Sequence, residues 1–196
     1  HVSSFEKSYL QSVDEAGIST IEHIFLPYRC KFSFLTISLL KTLRILKISE
    51  NCQKYKDILL DLVDKDSESY DMVINAFRQP KKTPEDIKKR SKMIESATIG
   101  AAEIPLKILE NCTFLMKQIL LISEFGNKNS ITDSGVAGYL IHSAGHGASL
   151  NVLINIKTIN PETEKEYHSK VDYYIKDLDD LFLKLKNNVD SILNND

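Results

Sequence analysis

Glycine and proline are scarce in this sequence, whose 196 residues include seven glycines, five prolines and no tryptophan. A protein built from β-strands needs frequent turns, and glycine and proline supply many of them. The chain is long enough for one compact domain. The shortage of turn residues therefore favours long helices over a sheet.

Charge of one sign and long apolar runs are missing as well. The formal net charge is −2 and the isoelectric point about 6.2. Because a nucleic-acid backbone is bound by a basic face, we expect no nucleic-acid partner. The longest apolar run, residues 32–40, is too short to span a bilayer. No signal peptide is visible, so we expect no membrane partner and a cytoplasmic location.

Cysteine is also rare. Cys30, Cys52 and Cys112 show no CxxC spacing and cannot all be paired. We therefore expect free thiols in a reducing cytoplasm. The chain begins with His1 rather than methionine, so we expect a processed form or a piece of something longer.

What the sequence does have is helical periodicity along almost every long segment. Pro80 ends one helix near Gln79, and Thr83 with Pro84 is a good start for the next. The predicted fold is all-α, a single-domain antiparallel bundle of long helices over residues 1–196. The expected helices cover residues 3–13, 18–26, 32–48, 55–79, 84–125 with a break or kink near Pro105, 132–157 and 162–193.

Asp66 stands where a helix would normally place a leucine. Apolar residues at steps of three and four draw one stripe, and Asp66 fills its gap. An ionised carboxylate facing a core is costly unless it is paired or wetted by a cleft. Asp66 is therefore either a structural polar anchor or part of a site. The stripe consists of Tyr55, Leu59, Leu62, Tyr70, Val73 and Phe77.

Four of the seven glycines fall within residues 133–155. Glycine costs about 1 kcal/mol against alanine inside a helix. Their concentration predicts close approach of another backbone or of a ligand. Tight helix packing, including packing across a dimer axis, is the simpler alternative. These glycines are Gly135, Gly138, Gly145 and Gly147.

Polar residues in and near the same segment are further candidates. Asn151 and Asn155 share one helix face, where they could bridge helices or grip a heterocycle. His142 and His146 could form one edge of a metal site, but the sequence identifies no further ligand. We therefore predict ordinary helix histidines and no metal. Asp133 could cap a helix, and Lys81 could lie on a solvated edge or attract an acidic ligand.

An ordered set of short motifs resembles a known family. Residues 62–70, with Asp64, Asp66 and Tyr70, look like its Val-Asp-x-Asp-x-x-x-aromatic motif. The family is that of formiminotetrahydrofolate cyclodeaminase and methenyltetrahydrofolate cyclohydrolase. The resemblance spans about residues 54–157 and continues through residues 80–85, 104–107, 126–127, 132–133 and 151–157.

The resemblance implies an all-α domain that forms a homodimer and binds a reduced folate in a cleft. It implies that Asp66 matches the catalytic carboxylate and that Asp133, Asn151 and Asn155 match pocket positions. Lys81 would attract the glutamate tail of the folate. The tetrahydrofolate derivative is a substrate, so no separate cofactor and no metal are implied. The chain could also be fused to, or associated with, a formiminotransferase.

The implied reaction has two forms. One cyclises 5-formimino-tetrahydrofolate to 5,10-methenyl-tetrahydrofolate with loss of ammonia. The other hydrolyses the 5,10-methenyl form to 10-formyl-tetrahydrofolate. The family's glycine-rich loop corresponds here to residues 27–33, which contain no glycine. A non-catalytic helical dimer, acting as a folate-binding or protein-interaction module, is therefore the alternative to an enzyme.

Overall fold

Helices make up most of the described chain. The computed structural model describes the backbone of residues 34–194 and the side chains of residues 39–194. The helices are α1 (Phe34–Phe77), α2 (Pro84–Phe125), α3 (Ile131–Ile156) and α4 (Pro161–Leu193), with a 3₁₀ turn at Lys128–Ser130. No strand occurs in residues 34–194, which confirms the all-α prediction. No helix in this part of the chain combines the length and apolarity that crossing a membrane requires.

The start of α2 is fixed by a capping box. Thr83 Oγ1 accepts a hydrogen bond from the Asp86 backbone N–H at 3.1 Å, and Asp86 Oδ2 accepts one from the Thr83 N–H at 3.1 Å. Both bonds satisfy N–H groups that have no partner within the helix. The predicted bounds of α2 are confirmed, and the helix continues through the buried Pro105.

The starts of α3 and α4 differ in their caps, and the cap predicted at Asp133 is wrong. Asn160 Oδ1 accepts a hydrogen bond from the Thr163 N–H at 2.9 Å at the start of α4. Ser130 is the residue before α3 and makes no side-chain cap bond. Asp133 lies in the first turn of α3, so it is not the cap. The helices predicted within residues 3–26 fall outside the described residues.

Helices α2, α3 and α4 pack against one another around one apolar core. Its fully buried side chains come from all three helices, so their apolar faces are removed from water together. The largest of these side chains are Leu109, Met116, Val152, Ile156, Leu178 and Leu185.

Two glycines let α3 approach α4 closely. A Cβ at Gly138 would overlap Leu185 Cδ2, and one at Gly145 would overlap Leu178 Cδ2. The close-packing interpretation therefore explains these positions. Gly147 is different, because a Cβ there would meet no heavy atom of residues 39–194 within 4 Å.

Helix α1 runs antiparallel to α2. Tyr55 stacks on Phe114 with ring centroids 4.1 Å apart, and Asn51 Nδ2 donates to Gln118 Oε1 at 3.1 Å. Nearer the end of α1, the Phe77 carbonyl accepts hydrogen bonds from the Arg90 guanidinium. The predicted antiparallel order is confirmed for this pair.

The chain divides into two compact units, His1–Leu40 and Lys41–Asp196. In the first unit, the described part is the beginning of α1. The second unit contains the core and the helix contacts given above. The single domain expected over residues 1–196 stays a prediction.

Candidate functional site

Asp66 reaches solvent from the middle of α1. Its side chain is exposed, and its backbone carbonyl accepts a hydrogen bond from Ser69 Oγ at 2.8 Å. Of the apolar stripe predicted to be buried around Asp66, Leu62 is buried, but Tyr70 is 65% exposed. The buried face of α1 instead contains Leu62, Ser69 and Ala76, which are seven residues apart. Asp66 lies beside that face rather than within it.

The two predicted asparagines of α3 have different surroundings. Asn155 is partly buried, and its Nδ2 donates to the backbone carbonyl of Ala101 on α2 at 3.0 Å. Asn151, one helical turn earlier, is exposed. The helix-bridging alternative therefore describes Asn155, whereas Asn151 is accessible to a ligand. Asp133 is also exposed.

Lys81 is exposed in the loop between α1 and α2. Two surface depressions lie along α1, and neither includes Lys81, Asp66, Asp133 or either asparagine. These two depressions do not bring the predicted residues together. The first is lined by Ser49, Glu50, Gln53, Lys54, Asp57, Ile58 and Asp61, and the second by Tyr70, Asp71, Ile74, Asn75 and Arg78.

An apolar surface runs along α3 on the side of Asp133 and Asn151. We call it the outer face of α3, and its large side chains are exposed. Steps of three, four and seven residues place Asp133, Asn151 and Gly147 on this same face. Its large apolar residues are Val136, Leu140, Leu150 and Ile154.

Asp66 occupies a comparable position on α1. It lies between Val63 and Tyr70 in sequence, three and four residues from them, so the three side chains share a helix face. Leu60 extends this outer face of α1, and all of these apolar side chains are exposed. The candidate carboxylate and the candidate amide therefore both stand on open apolar surfaces. Such surfaces on a folded protein mark sites of interaction.

The described thiols do not provide a nucleophile. Cys52 and Cys112 are free, as predicted, and Cys30 lies outside the described residues. Burial raises the pKa of the Cys112 thiol to about 11 and also raises that of Cys52. A thiol with a raised pKa is protonated at neutral pH and reacts slowly.

Comparison with a family described as Formiminotransferase-cyclodeaminase gives a match over residues 39–173 of this chain. All five predicted site residues fall inside that range. The match covers more than half of the sequence, including all of α2 and α3.

Individual relatives match over shorter stretches. The formimidoyltransferase-cyclodeaminase of Rattus norvegicus is 31% identical over 108 residues, which is 55% of this chain and 20% of the rat protein. The methenyltetrahydrofolate cyclohydrolase of Methylorubrum extorquens is 28% identical over 124 residues, 63% of this chain and 60% of that protein. The chain thus spans a fifth of the rat relative and three fifths of the bacterial one.

A solved structure shares the fold. The formiminotetrahydrofolate cyclodeaminase of Thermotoga maritima superimposes with a TM-score of 0.67 at 22% sequence identity. The superposition covers 86% of this chain and 78% of the other.

Proposed function

Because the chain belongs to the formiminotransferase-cyclodeaminase family, we propose that it is a folate-dependent one-carbon enzyme. It either cyclises 5-formimino-tetrahydrofolate to the 5,10-methenyl form with loss of ammonia, or hydrolyses the 5,10-methenyl form to 10-formyl-tetrahydrofolate. The observation that carries the proposal is the family match over residues 39–173, which includes each candidate position.

Both reactions pass through a tetrahedral carbon between two nitrogens. In the cyclisation, N10 attacks the formimino carbon and loses a proton. The formimino =NH group gains two protons, one of them from solvent, and leaves as ammonia. In the hydrolysis, water adds to the methenyl carbon and a ring nitrogen is protonated as its bond to that carbon breaks. A single carboxylate can take and return the proton in either case.

Asp66 is the proposed general acid and base. Its exposed position between Val63 and Tyr70 leaves the carboxylate accessible, and a folate bound across these apolar side chains would remove it from water. A carboxylate held against the bound folate could pass a proton to and from the reacting nitrogens.

The remaining candidates would bind the folate. Asn151 would offer both a donor and an acceptor to the pterin. Asn155 holds α3 against α2 through its Nδ2 and would offer its Oδ1 to the same ligand. Asp133 lies on the outer face of α3 with Asn151. Lys81 would attract the negatively charged glutamate tail.

A second copy of the chain would complete the pocket. The outer face of α3 exposes Val136, Leu140, Leu150 and Ile154 around a glycine with open space above it. A homodimer that covers this face would bury the apolar side chains and enclose Asn151. Such a dimer would explain why Asn151 and Asp133 are exposed in a single chain.

A non-catalytic folate-binding or protein-interaction module is the second candidate function. It is favoured by the position of Asp66 outside both surface depressions, and by the lack of glycine in residues 27–33. In either case the protein would work in the cytoplasm. As an enzyme, it would receive the formimino substrate from a formiminotransferase, attached or separate.

The Asp66→Asn variant tests the catalytic role. The loss of absorbance of methenyl-tetrahydrofolate measures hydrolysis, and its gain from the formimino substrate measures cyclisation. We expect Asp66→Asn to lower kcat by roughly 10²–10⁴-fold, the usual contribution of a general acid or base, with an unchanged far-UV circular dichroism spectrum. Glu68→Gln is the matched control, because Glu68 is an exposed carboxylate two residues away on the same helix and is not a fixed position of the motif. It should keep kcat within about twofold, since it lies off the Asp66 face.

The outcomes separate the two functions. An unimpaired Asp66→Asn variant would remove Asp66 from the catalytic role. Wild-type protein that binds tetrahydrofolate derivatives in a calorimetric titration without turning either substrate over would be a folate-binding module. Wild-type protein that neither binds nor converts them would favour an interaction module.

A further inference from the structure

Two histidines and an aspartate meet where α3 packs against α4. His142 and His146 are four residues apart, so they lie on one face of α3. The Nε2 atom of His142 is 2.7 Å from Asp179 Oδ1, and that of His146 is 2.8 Å from the same oxygen. Three potential ligand atoms thus converge from two helices, all within 4.8 Å of one another.

We propose that His142, His146 and Asp179 form a binding site for a divalent transition-metal ion, with Zn²⁺ as the leading candidate. Imidazole nitrogen and carboxylate oxygen are ligands that zinc accepts at about 2.0–2.2 Å. Donor atoms around a tetrahedral zinc ion lie roughly 3.3 Å apart at those ligand distances. Each histidine nitrogen therefore needs to move about half an ångström away from Asp179 Oδ1. The ligand atoms of the two histidines, which lie within 4.8 Å of each other, need to reach the same spacing.

Neighbouring aromatic rings hold the first histidine in place. The His142 ring stacks on Phe182 with centroids 4.2 Å apart and planes 21° apart. Tyr139 packs against Phe182 as well, with the ring centroids 4.9 Å apart and the ring planes at 74°. A ligand whose ring is already oriented loses little freedom when the metal binds.

The backbone beneath the site is fixed as well. Gly145 brings α3 into close contact with Leu178, the residue next to Asp179. The fully buried Leu178 belongs to the apolar core. The separation of the two helices at the site is therefore set by core packing, and the ligand set does not depend on a mobile loop.

The site is open to solvent on one side. The side chains of His142, His146 and Asp179 are 26%, 42% and 47% exposed. A metal ion can enter from water, and water can fill the coordination positions that the protein leaves open.

Metal binding at this position would clamp α3 to α4. A ligand that binds only the folded protein stabilises it in proportion to the logarithm of its concentration over Kd. The proposed folate residues of α3 stand on its outer face or toward α2, so the metal site is separate from them. Its occupancy would be observed as thermal stabilisation whether or not the protein turns folate over.

Titration of the full chain, purified without an affinity tag, with ZnCl₂ and with CoCl₂ tests the proposal. Calorimetry should give about one Zn²⁺ per chain, and Co²⁺ should give visible absorption bands typical of four or five ligands. His142→Ala, His146→Ala and Asp179→Asn should each weaken Zn²⁺ binding by about tenfold or more. Saturating Zn²⁺ should raise the Tm of the wild-type protein and leave that of His146→Ala unchanged.

His168→Ala is the matched control. His168 Nε2 lies 3.9 Å from Glu164 on the surface of α4, and this histidine–carboxylate pair has no third ligand among the described residues. This variant should bind Zn²⁺ as tightly as the wild-type protein. His146 is the more exposed of the two histidines, so its truncation is the least disruptive to folding, and the circular dichroism spectrum verifies this.

Two results would overturn the proposal. One is the absence of saturable Zn²⁺ binding by the wild-type chain at pH 7.5. The other is an unchanged Zn²⁺ affinity in His146→Ala and Asp179→Asn, equal to that of the control His168→Ala. The ion would then be held elsewhere, for example by a thiol.

Discussion

Asn155 on α3 and Ala101 on α2 are joined by a hydrogen bond of 3.0 Å from the side-chain Nδ2 to the backbone carbonyl. Ala101 is buried, so its carbonyl oxygen has little access to water. Asn151 is only one turn away, yet it is exposed. These two asparagines, one helical turn apart on α3, therefore contribute differently to the free energy of unfolding.

We predict that Asn155→Ala lowers the free energy of unfolding by about 1–3 kcal/mol, because it leaves the Ala101 carbonyl without its partner. Asn151→Ala should stay within about 0.5 kcal/mol of the wild-type protein, as exposed substitutions usually do. Urea unfolding followed by circular dichroism measures both. Equal losses in the two variants would contradict the assignment of Asn155 as the bridging residue.

A second prediction concerns the glycines of α3. Gly145→Ala places a methyl group against Leu178, with Cys112 and Leu109 close behind. Overpacking of this kind costs about 1–3 kcal/mol and exceeds the gain in helix propensity of about 1 kcal/mol. Gly147→Ala meets no atom, so it should raise the stability of the single chain by up to about 1 kcal/mol.

The Gly147→Ala variant also tests the proposed homodimer. A methyl group at Gly147 would lie in the outer face of α3 and should weaken self-association if a second copy packs there. Sedimentation equilibrium of the wild-type protein and Gly147→Ala over a range of concentrations gives the dissociation constants. A wild-type protein that remains monomeric, or a dimer that Gly147→Ala leaves unchanged, would argue against this interface.

The helical fold was predictable because its signals are local. Thr83 and Asn160 cap the helices that follow them, and Pro80 and Gly126 lie just beyond the ends of α1 and α2. The continuity of α1 through residues 49–54 was missed, although that stretch contains neither glycine nor proline. Charged residues there interrupted the apolar pattern without breaking the helix.

Burial and side-chain partners were harder to predict, because they depend on other helices. The apolar spacing around Asp66 fits a stripe through Tyr70, but packing turns Ser69 inward instead. Asp179 lies 37 and 33 residues from His142 and His146. No local motif identifies a third ligand at that distance, so the sequence offered two histidines and no metal site.

The third prediction follows from the raised pKa of Cys112, which burial brings to about 11. The unfolded chain releases the thiol proton near pH 9, whereas the folded chain keeps it until about pH 11. Between these values the unfolded state binds fewer protons, so the free energy of unfolding falls as pH rises. Below pH 8 the thiol is protonated in both states and contributes no pH dependence.

Cys112→Ala removes this thiol while keeping every other titrating group, including Cys52 and the tyrosines whose pKa is also raised. The variant loses packing at all pH values, but its stability should fall less steeply than that of the wild-type protein between pH 8.5 and 10.5, by roughly 1–2 kcal/mol. Urea unfolding of both proteins at several pH values in this window measures the difference. Parallel curves would mean that Cys112 ionises as easily in the folded chain as in the unfolded one, and the buried position assigned to it on α2 would be incorrect.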